Sequence, residues 1–555
     1  VKRARNHPSV LIYTVGNEML LKDTKNLEKW QQLSDVVKQT RKVDPTLPVI
    51  CSSEYSREPE LYQELIKPNA IDDGDADDIH RYNNWYSASS FVMEAKFEKE
   101  AKNSGPNRPL IGQEMSTGYP DLDTGLPVFR YTRDLLTPQA WIGNLAYRGN
   151  DSKWFLEHNR AVTKRWAERL RYERGDRTAG FMLFATECWF SHSYDAATMK
   201  PYPVVEAMRQ AFSPIGLALE TGRRRFFPGE EIETAVFITN DDEGCRDLSD
   251  LKVELNFLDR SSGKKISSAK LGRVTKLPYW STQRLPAKIK FPPGSTRREL
   301  VLQLCLVHGK KEISRTTDYV GIIPGAQPVK IGTAAFTRGL GPELSGFLKA
   351  TADLKRLAEP ADAKILLLGA GDNLAGLETG GAVRSTIEGG ATAIVFSPGT
   401  NFTEMFSPEI LNRTNTVGEY ADFAPSAGTK LAEGFAPMDL KWWGRKNDWR
   451  VFVAGVSHRL KSGSSARELI RFIPSHGYIP EDKAKEQYRT VMFEIPLGKG
   501  RLWVCDLDLE AAVSVDPSAQ QFAVNLLRAA ADPDSTKNLP KVPTHEELLK
   551  VSAKN

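Results

Sequence analysis

The apolar pattern changes character along the chain, and the changes predict its parts. From residue 1 to about 213, short unbroken apolar runs alternate with stretches at helical spacing. Val10 to Val15 is mostly β-branched and apolar without alternation, which predicts a strand buried on both faces. Pro8 suits the turn that enters it, because proline gives a ladder no N–H. Gly16 ends it where the backbone needs freedom. In Leu27 to Val43, residues Leu27, Trp30, Leu33, Val36 and Val37 recur at helical spacing. Leu47 to Cys51 predicts a strand ending near Ser52-Ser53-Glu54, and Glu60 to Ile66 a short helix. Ala76 to His80 predicts a strand leading into Arg81-Tyr82-Asn83-Asn84-Trp85-Tyr86, and Phe91 to Asn103 a helix. Pro109 to Glu114 predicts another buried strand. An aromatic-rich excursion follows (Tyr119, Phe129, Tyr131, Trp141, Tyr147, Trp154). Then come a helix over Phe155 to Arg171 and a strand over Thr178 to Ala185, before Thr186-Glu187-Cys188-Trp189-Phe190.

Strand–helix units of this kind predict a parallel sheet. From about 214 to 324 the pattern becomes strict alternation. Leu251, Val253, Leu255 and Phe257 face one way against Lys252, Glu254 and Asn256, and Leu300 to Val307 gives a further strand. Short strands at this spacing predict an immunoglobulin-like β-sandwich. From about 325 to 535 the chain returns to α/β. Ile365 to Leu368 and Ala393 to Phe396 are buried strands, with a helix over Ala382 to Glu388 between them. A hairpin over Tyr488 to Leu509 turns at Gly498-Lys499-Gly500, and Phe522 to Ala531 is a closing helix. Residues 536–555 are a polar, Lys/Pro-rich tail.

Length fits about three domains. The charge of +5, from 75 basic and 70 acidic residues, gives no strong electrostatic partner signal. Arg223-Arg224-Arg225 and Lys264-Lys265 read as solvated faces, not a nucleic-acid groove. No apolar run is long enough to span a membrane. The five cysteines (Cys51, Cys188, Cys245, Cys305, Cys505) are scattered. They suggest neither a disulfide framework nor a zinc site, and leave the compartment undetermined. Gly369-Ala370-Gly371 follows a strand, but Leu374 stands where a dinucleotide fingerprint needs a third glycine, so no NAD cofactor is expected. The α/β domain resembles the flavodoxin-type, glutamine-amidotransferase-like domain of some bacterial glycosidases. Ser397-Pro398-Gly399 offers no catalytic cysteine, and Cys505 reads as core, so the domain is expected to be structural or oligomerising.

The candidate chemistry lies at the strand ends, where a parallel α/β barrel places its active site. Glu18, Glu54, Glu114 and Glu187 all fall there, and sequence physics alone does not choose among them. Arg5-Asn6-His7-Pro8-Ser9, the following apolar run and Gly16-Asn17-Glu18 resemble the fourth-strand signature of glycoside hydrolase family 2, in the retaining clan that includes β-galactosidases and β-glucuronidases. The resemblance covers residues 1 to about 213 and, loosely, the sandwich. It implies a partial (β/α)8 barrel that begins at strand four and ends at strand eight, so the chain is expected to be a fragment.

It also implies roles. Glu18 would be the acid/base and Glu114 the strand-seven nucleophile. Asn17 would hold the sugar hydroxyl next to the reacting carbon. Tyr82 would donate to Glu114 and keep it ionised. Glu18 would stay protonated through partial burial and the charge of Glu114. Glu54 and Glu187 are expected either to support the catalytic pair from behind or to stand at the rim. Trp189 matches a sugar-stacking platform, although a packed tryptophan fits equally. His80 could contact a sugar hydroxyl or serve structurally, and Trp85 and Tyr86 are expected to pack. The Asn-x-Lys element of glucuronidases is missing around Ser191 to Pro203. The expected partner is a carbohydrate, with no cofactor or metal and self-association left open. The expected activity is retaining hydrolysis of terminal β-linked sugars, β-galactosidase-like. A β-mannosidase, a polysaccharide hydrolase or a non-catalytic sugar-binding scaffold are the alternatives.

Overall fold

The first apolar run forms less strand than its composition predicts. The structure, a computed structural model, describes residues 1–5, 7–20, 23–82, 108–116, 119–125, 127–128, 152–369, 374–418, 420–423, 430–436, 439–446, 454–473, 489–536 and 539. Only Tyr13–Thr14 (β1) joins a ladder, in parallel with Val49–Ile50 (β2). Among the described residues β1 is an edge, and nearby Leu11 is 75% exposed. The expectation of a strand buried on both faces is corrected: none of Val10 to Val15 is buried, and among the described residues β1 pairs with β2 alone.

Between β1 and β2 runs a helix, Leu27–Val43 (α1), at the predicted position. Asn26 caps it by accepting from the Lys29 N–H, which satisfies one of the orphan amides of the first turn. Its apolar stripe puts Trp30, Leu33 and Val37 against Val49, Cys51, Tyr55 and Ile66. The short helix after β2 is Pro59–Leu61, continued as a π-turn over Tyr62–Ile66.

Asp77–Tyr82 (β3), Leu110–Ser116 (β4) and Thr178–Leu183 (β5) form a parallel sheet in that order. The helices Ser152–Tyr172 (α2) and Pro203–Ala211 (α3) cover one face of it. Trp166, Leu170, Val204 and Met208 pack there on Leu110, Met115 and Leu183. β2 and β3 do not share a ladder. They are linked by an Ile50–Gly74 bridge and by the Asp78 N–H donating to Tyr55 O at 2.9 Å. The five predicted strands thus stand as a pair and a triplet. The predicted helix over Phe91 to Asn103, the aromatics Trp85, Tyr86, Phe129, Tyr131, Trp141 and Tyr147, and most of the tail lie outside the described residues.

Charges are buried at the start of β3. Asp77, with no side-chain exposure, accepts from Arg108 Nε at 2.8 Å and Arg177 Nη2 at 2.6 Å. These bonds tie β3 to the chain entering β4 and the chain entering β5.

Residues 215–322 build two facing sheets around one core. Ile215–Leu219 (β6), Glu231–Asn240 (β8) and Ser281–Lys290 (β11) form one, in the order β6-β8-β11. Arg225–Phe226 (β7), Leu248–Asp259 (β9), Lys265–Leu277 (β10), Arg298–His308 (β12) and Lys311–Ile322 (β13) form the other, in the order β7-β13-β12-β9-β10. Alternation decides which side chains enter: Leu251, Val253, Leu255 and Phe257 are buried with Leu300, Leu302 and Leu304.

Among the described residues, 334–505 contribute a ten-stranded mixed sheet, parallel on one side and antiparallel on the other. Ile365–Leu368, Thr392–Phe396 and Gly500–Cys505 run parallel at its centre. Cys505 is buried there as core, and burial pushes its thiol up to about 12. All five cysteines are free thiols. The closing helix is Pro517–Ala531 (α4), capped by Asp516. Asp516 is fully buried, accepts from Arg225 Nε at 3.1 Å and from the Gly444 N–H at 3.0 Å, and so joins the sandwich to the last sheet. No helix among the described residues is long and apolar enough to cross a membrane.

Replacing Asp77 by alanine leaves Arg108 and Arg177 facing a buried, uncompensated site. The expected loss is about 3–5 kcal/mol of stability, read as a fall in the urea midpoint at unchanged slope.

Candidate active site

The loop after β1 is placed by serines after β2. Ser53 N–H donates to Gly16 O at 2.8 Å, and Ser53 Oγ to Asn17 Oδ1 at 2.6 Å. The Glu18 N–H donates to Ser53 Oγ at 3.0 Å, and the Met19 N–H to Ser52 Oγ at 3.1 Å. A side chain at Gly16 would meet Cys51 O at 3.0 Å, so the two loops approach as closely as they do because that residue is glycine. Glu18 and Glu54 both take a left-handed backbone, with φ of 51° and 55°. For non-glycine residues that conformation costs on the order of 1–3 kcal/mol and clusters at functional sites.

Asp78 and His80 alternate with Asp77 and Ile79 on β3, so they share the other face. Asp78 is fully buried. Its Oδ2 accepts the Glu54 N–H at 3.0 Å, and its Oδ1 accepts the Gln113 N–H at 2.9 Å. His80 Nε2 lies 3.3 Å from Asp78 Oδ2, while Nδ1 lies 2.8 Å from Glu18 Oε1. Glu114 Oε2 is 3.5 Å and Glu54 Oε2 3.7 Å from the same Nδ1. Burial opposes a charged imidazole here, but the hydrogen bonds to Asp78 and Glu18, with the charges of Asp78 and Glu114, prevail and hold His80 above its ordinary range. Both ring nitrogens thus face carboxylates, Nδ1 at hydrogen-bond distance from Glu18 and Nε2 in a longer approach to Asp78. Gln113 Nε2 also donates to Thr14 Oγ1 at 2.9 Å, joining β4 to β1.

The structure therefore brings Glu18, Glu114 and His80 together, with one ligating atom from each inside 4.8 Å. The 2.8 Å contact between His80 Nδ1 and Glu18 Oε1 is a hydrogen bond. Asn17 stands beside it on Ser53. His80 does not fit the expected sugar contact: its side chain has no exposure and faces carboxylates. Trp189 is half-buried in the 3-10 turn Thr186–Trp189 and packs on the core beneath β3 to β5. Glu187 on that turn is exposed, away from the cluster's described contacts. The Tyr82 side chain lies outside the described residues. Asp78 was missed from sequence. The strand alternation Asp78–His80 was the available signal for it. A cleft of about 810 Å³ lies elsewhere, between α2 and the sandwich, lined by Arg165, Arg169, Glu220 and Lys288 and none of these groups.

Charges at these spacings interact strongly: two unit charges 4 Å apart near a surface differ by about 4 kcal/mol from isolation. Because the folded state raises His80, the stability it contributes is complete below its unfolded value of about 6.5 and is lost as pH rises through the folded value. The wild-type urea midpoint is expected to fall across that window, and the fall is expected to disappear in His80→Gln.

Residues 1–120 match the family model for "Glycosyl hydrolases family 2, TIM barrel domain". No curated protein matches the chain. Among solved structures the chain is similar to the exo-chitosanase CsxA of Amycolatopsis orientalis, at 14% identity over 59% of this chain and 38% of that one, with a TM-score of 0.35. An FMN-binding beta-glucuronidase from Facaelibacterium prausnitzii L2-6 shows 14% identity over 58% of this chain and 42% of that one, TM-score 0.29. A putative beta-galactosidase from Bacteroides fragilis shows 14% identity over 57% and 41%, TM-score 0.28. The chain spans 38–42% of the lengths of those three proteins.

Proposed function

We propose that this chain carries the catalytic carboxylates of a retaining β-glycosidase, with Glu18 as acid/base and Glu114 as nucleophile. The observation that supports it is the approach of these two groups, from the ends of β1 and β4, to within 4.8 Å. Retention uses carboxyls about 5–5.5 Å apart, whereas inversion needs about 6.5–9.5 Å to admit a water. In the first step Glu18 protonates the departing oxygen while Glu114 attacks the anomeric carbon. In the second, Glu18 takes a proton from water, and that water displaces Glu114. The Asn17 Oδ1 is taken by Ser53, so its amide N–H groups are the end that would meet the sugar hydroxyl next to the reacting carbon. Trp189 would stack at the rim, and Tyr82 would donate to Glu114.

The finer reading is a terminal β-galactoside as substrate. The division into residues 1–213 (partial barrel from strand four), 214–324 (immunoglobulin-like sandwich), 325–535 (amidotransferase-like domain without a catalytic cysteine) and 536–555 (tail) is part of the same proposal. The partition of the sheets supports it.

A 2-fluoro β-galactoside with an activated leaving group is expected to add one sugar mass to the peptide containing Glu114. Labelling elsewhere, or none with any of a panel of 2-fluoro glycosides, would leave a binding scaffold as the better reading. Glu18→Gln is expected to cost about 10²–10⁴-fold on alkyl glycosides and far less on dinitrophenyl glycosides, where the leaving group needs no proton. Equal losses on both would sink the acid role.

A further inference from the structure

Glu54 has no part in the reaction as set out above, yet it belongs to the same group of charges. Glu18, Glu54 and Glu114 present oxygens 2.8, 3.7 and 3.5 Å from His80 Nδ1, and Asp78 approaches the other ring nitrogen at 3.3 Å. Four carboxyl groups thus surround one imidazole, which can supply no more than a single positive charge. Like charges this close do not all stay ionised, so a further proton is held among the carboxyls.

Asp78 is unsuited to hold it, since both of its oxygens are already taken by backbone N–H groups. Glu54 is the better place. Its N–H is fixed on Asp78, and its left-handed backbone turns it inward beside Glu18. We propose that Glu54 is the protonated member of the group and acts as a positioning residue that passes its proton to Glu18. Burial, followed by the charge and hydrogen bonding of Glu18 and the charge of Glu114, raises Glu54 above the ordinary carboxylate range against the opposing charge of His80. The groups facing Glu54 are Glu18 from the loop after β1, Asp78 and His80 from β3, and Glu114 from β4.

This rests on the glycosidase reading. The Glu54 O–H proton moves to Glu18, which gives it to the departing oxygen as the C–O bond breaks and Glu114 bonds to the anomeric carbon. In the second half, water loses a proton to Glu18 as its oxygen displaces Glu114, and Glu18 passes that proton back to Glu54. The pair ends with the protons it began with, and no other reactant is needed.

The test uses the full chain as Glu54→Gln and Glu54→Asp. Infrared spectroscopy at neutral pH is expected to show a protonated-carboxyl C=O band in the wild type and in Glu54→Asp, and none in Glu54→Gln. A band that survives in Glu54→Gln, or is missing from the wild type, overturns the proposal whether or not the chain hydrolyses glycosides. In turnover, Glu54→Gln is expected to lower kcat on alkyl glycosides about tenfold or more with KM little changed. It should shift the alkaline limb of the pH profile to lower pH by about one unit, while Glu54→Asp restores the limb. Trapping of Glu114 by the activated 2-fluoro sugar should proceed as in the wild type. An unshifted limb overturns the relay. Failure of trapping in the wild type counts against the glycosidase reading alone, and the infrared band still locates the proton.

Discussion

One buried carboxylate organises the site. Asp78 has no contact with water, and its two oxygens are spent on the Glu54 and Gln113 backbone amides and on the His80 ring. A charge in that position is costly unless it is fully satisfied. The satisfaction comes from three segments far apart in sequence: the loop after β2, the strand β3 and the strand β4. The same bonds that stabilise the charge fix where Glu54 and Glu114 leave the backbone. Removing a partner strands the carboxylate, so geometry and stability are enforced together.

The two neighbouring acids of Asp77-Asp78 divide the work by alternation. Asp77 points to the other face and ties β3 to Arg108 and Arg177. Asp78 points to the cluster. A slip of one residue in the register of β3 would exchange these roles and place each acid among the wrong partners. Short strands such as β1 and β2 have few ladder bonds to resist slippage. Side-chain bonds supply the missing definition: Ser52 and Ser53 hold the loop after β1, and Thr14 meets Gln113 across to β4.

Much of the fold was legible in the sequence because local periodicity and burial agree. The helix Leu27–Val43, the strand Ile365–Leu368 and the helix Ala382–Glu388 stand where their patterns place them. The alternation of Leu251 to Phe257 names its own buried face. Val10 to Val15 misled because composition reports affinity for burial, whereas burial depends on neighbours. Here a neighbour is found on one side only, and Leu11 is exposed. Glu18 and Glu114 were singled out by resemblance to a family motif. The function of Asp78 was not, because an acid inside a strand pattern looks like an interruption until the amides that need it are seen.

Asp516 gives the far end of the molecule a bearing on the whole. It begins the last helix and also receives Arg225 of the sandwich, whose Nη2 reaches the Trp442 carbonyl at 2.9 Å. Neither ion is complete inside its own part of the chain. Expression boundaries drawn between the sandwich and the last sheet would therefore hand each piece an orphaned charge at a freshly exposed seam. The two parts are better regarded as a single inheritable block, which truncation series and domain exchanges should carry across intact.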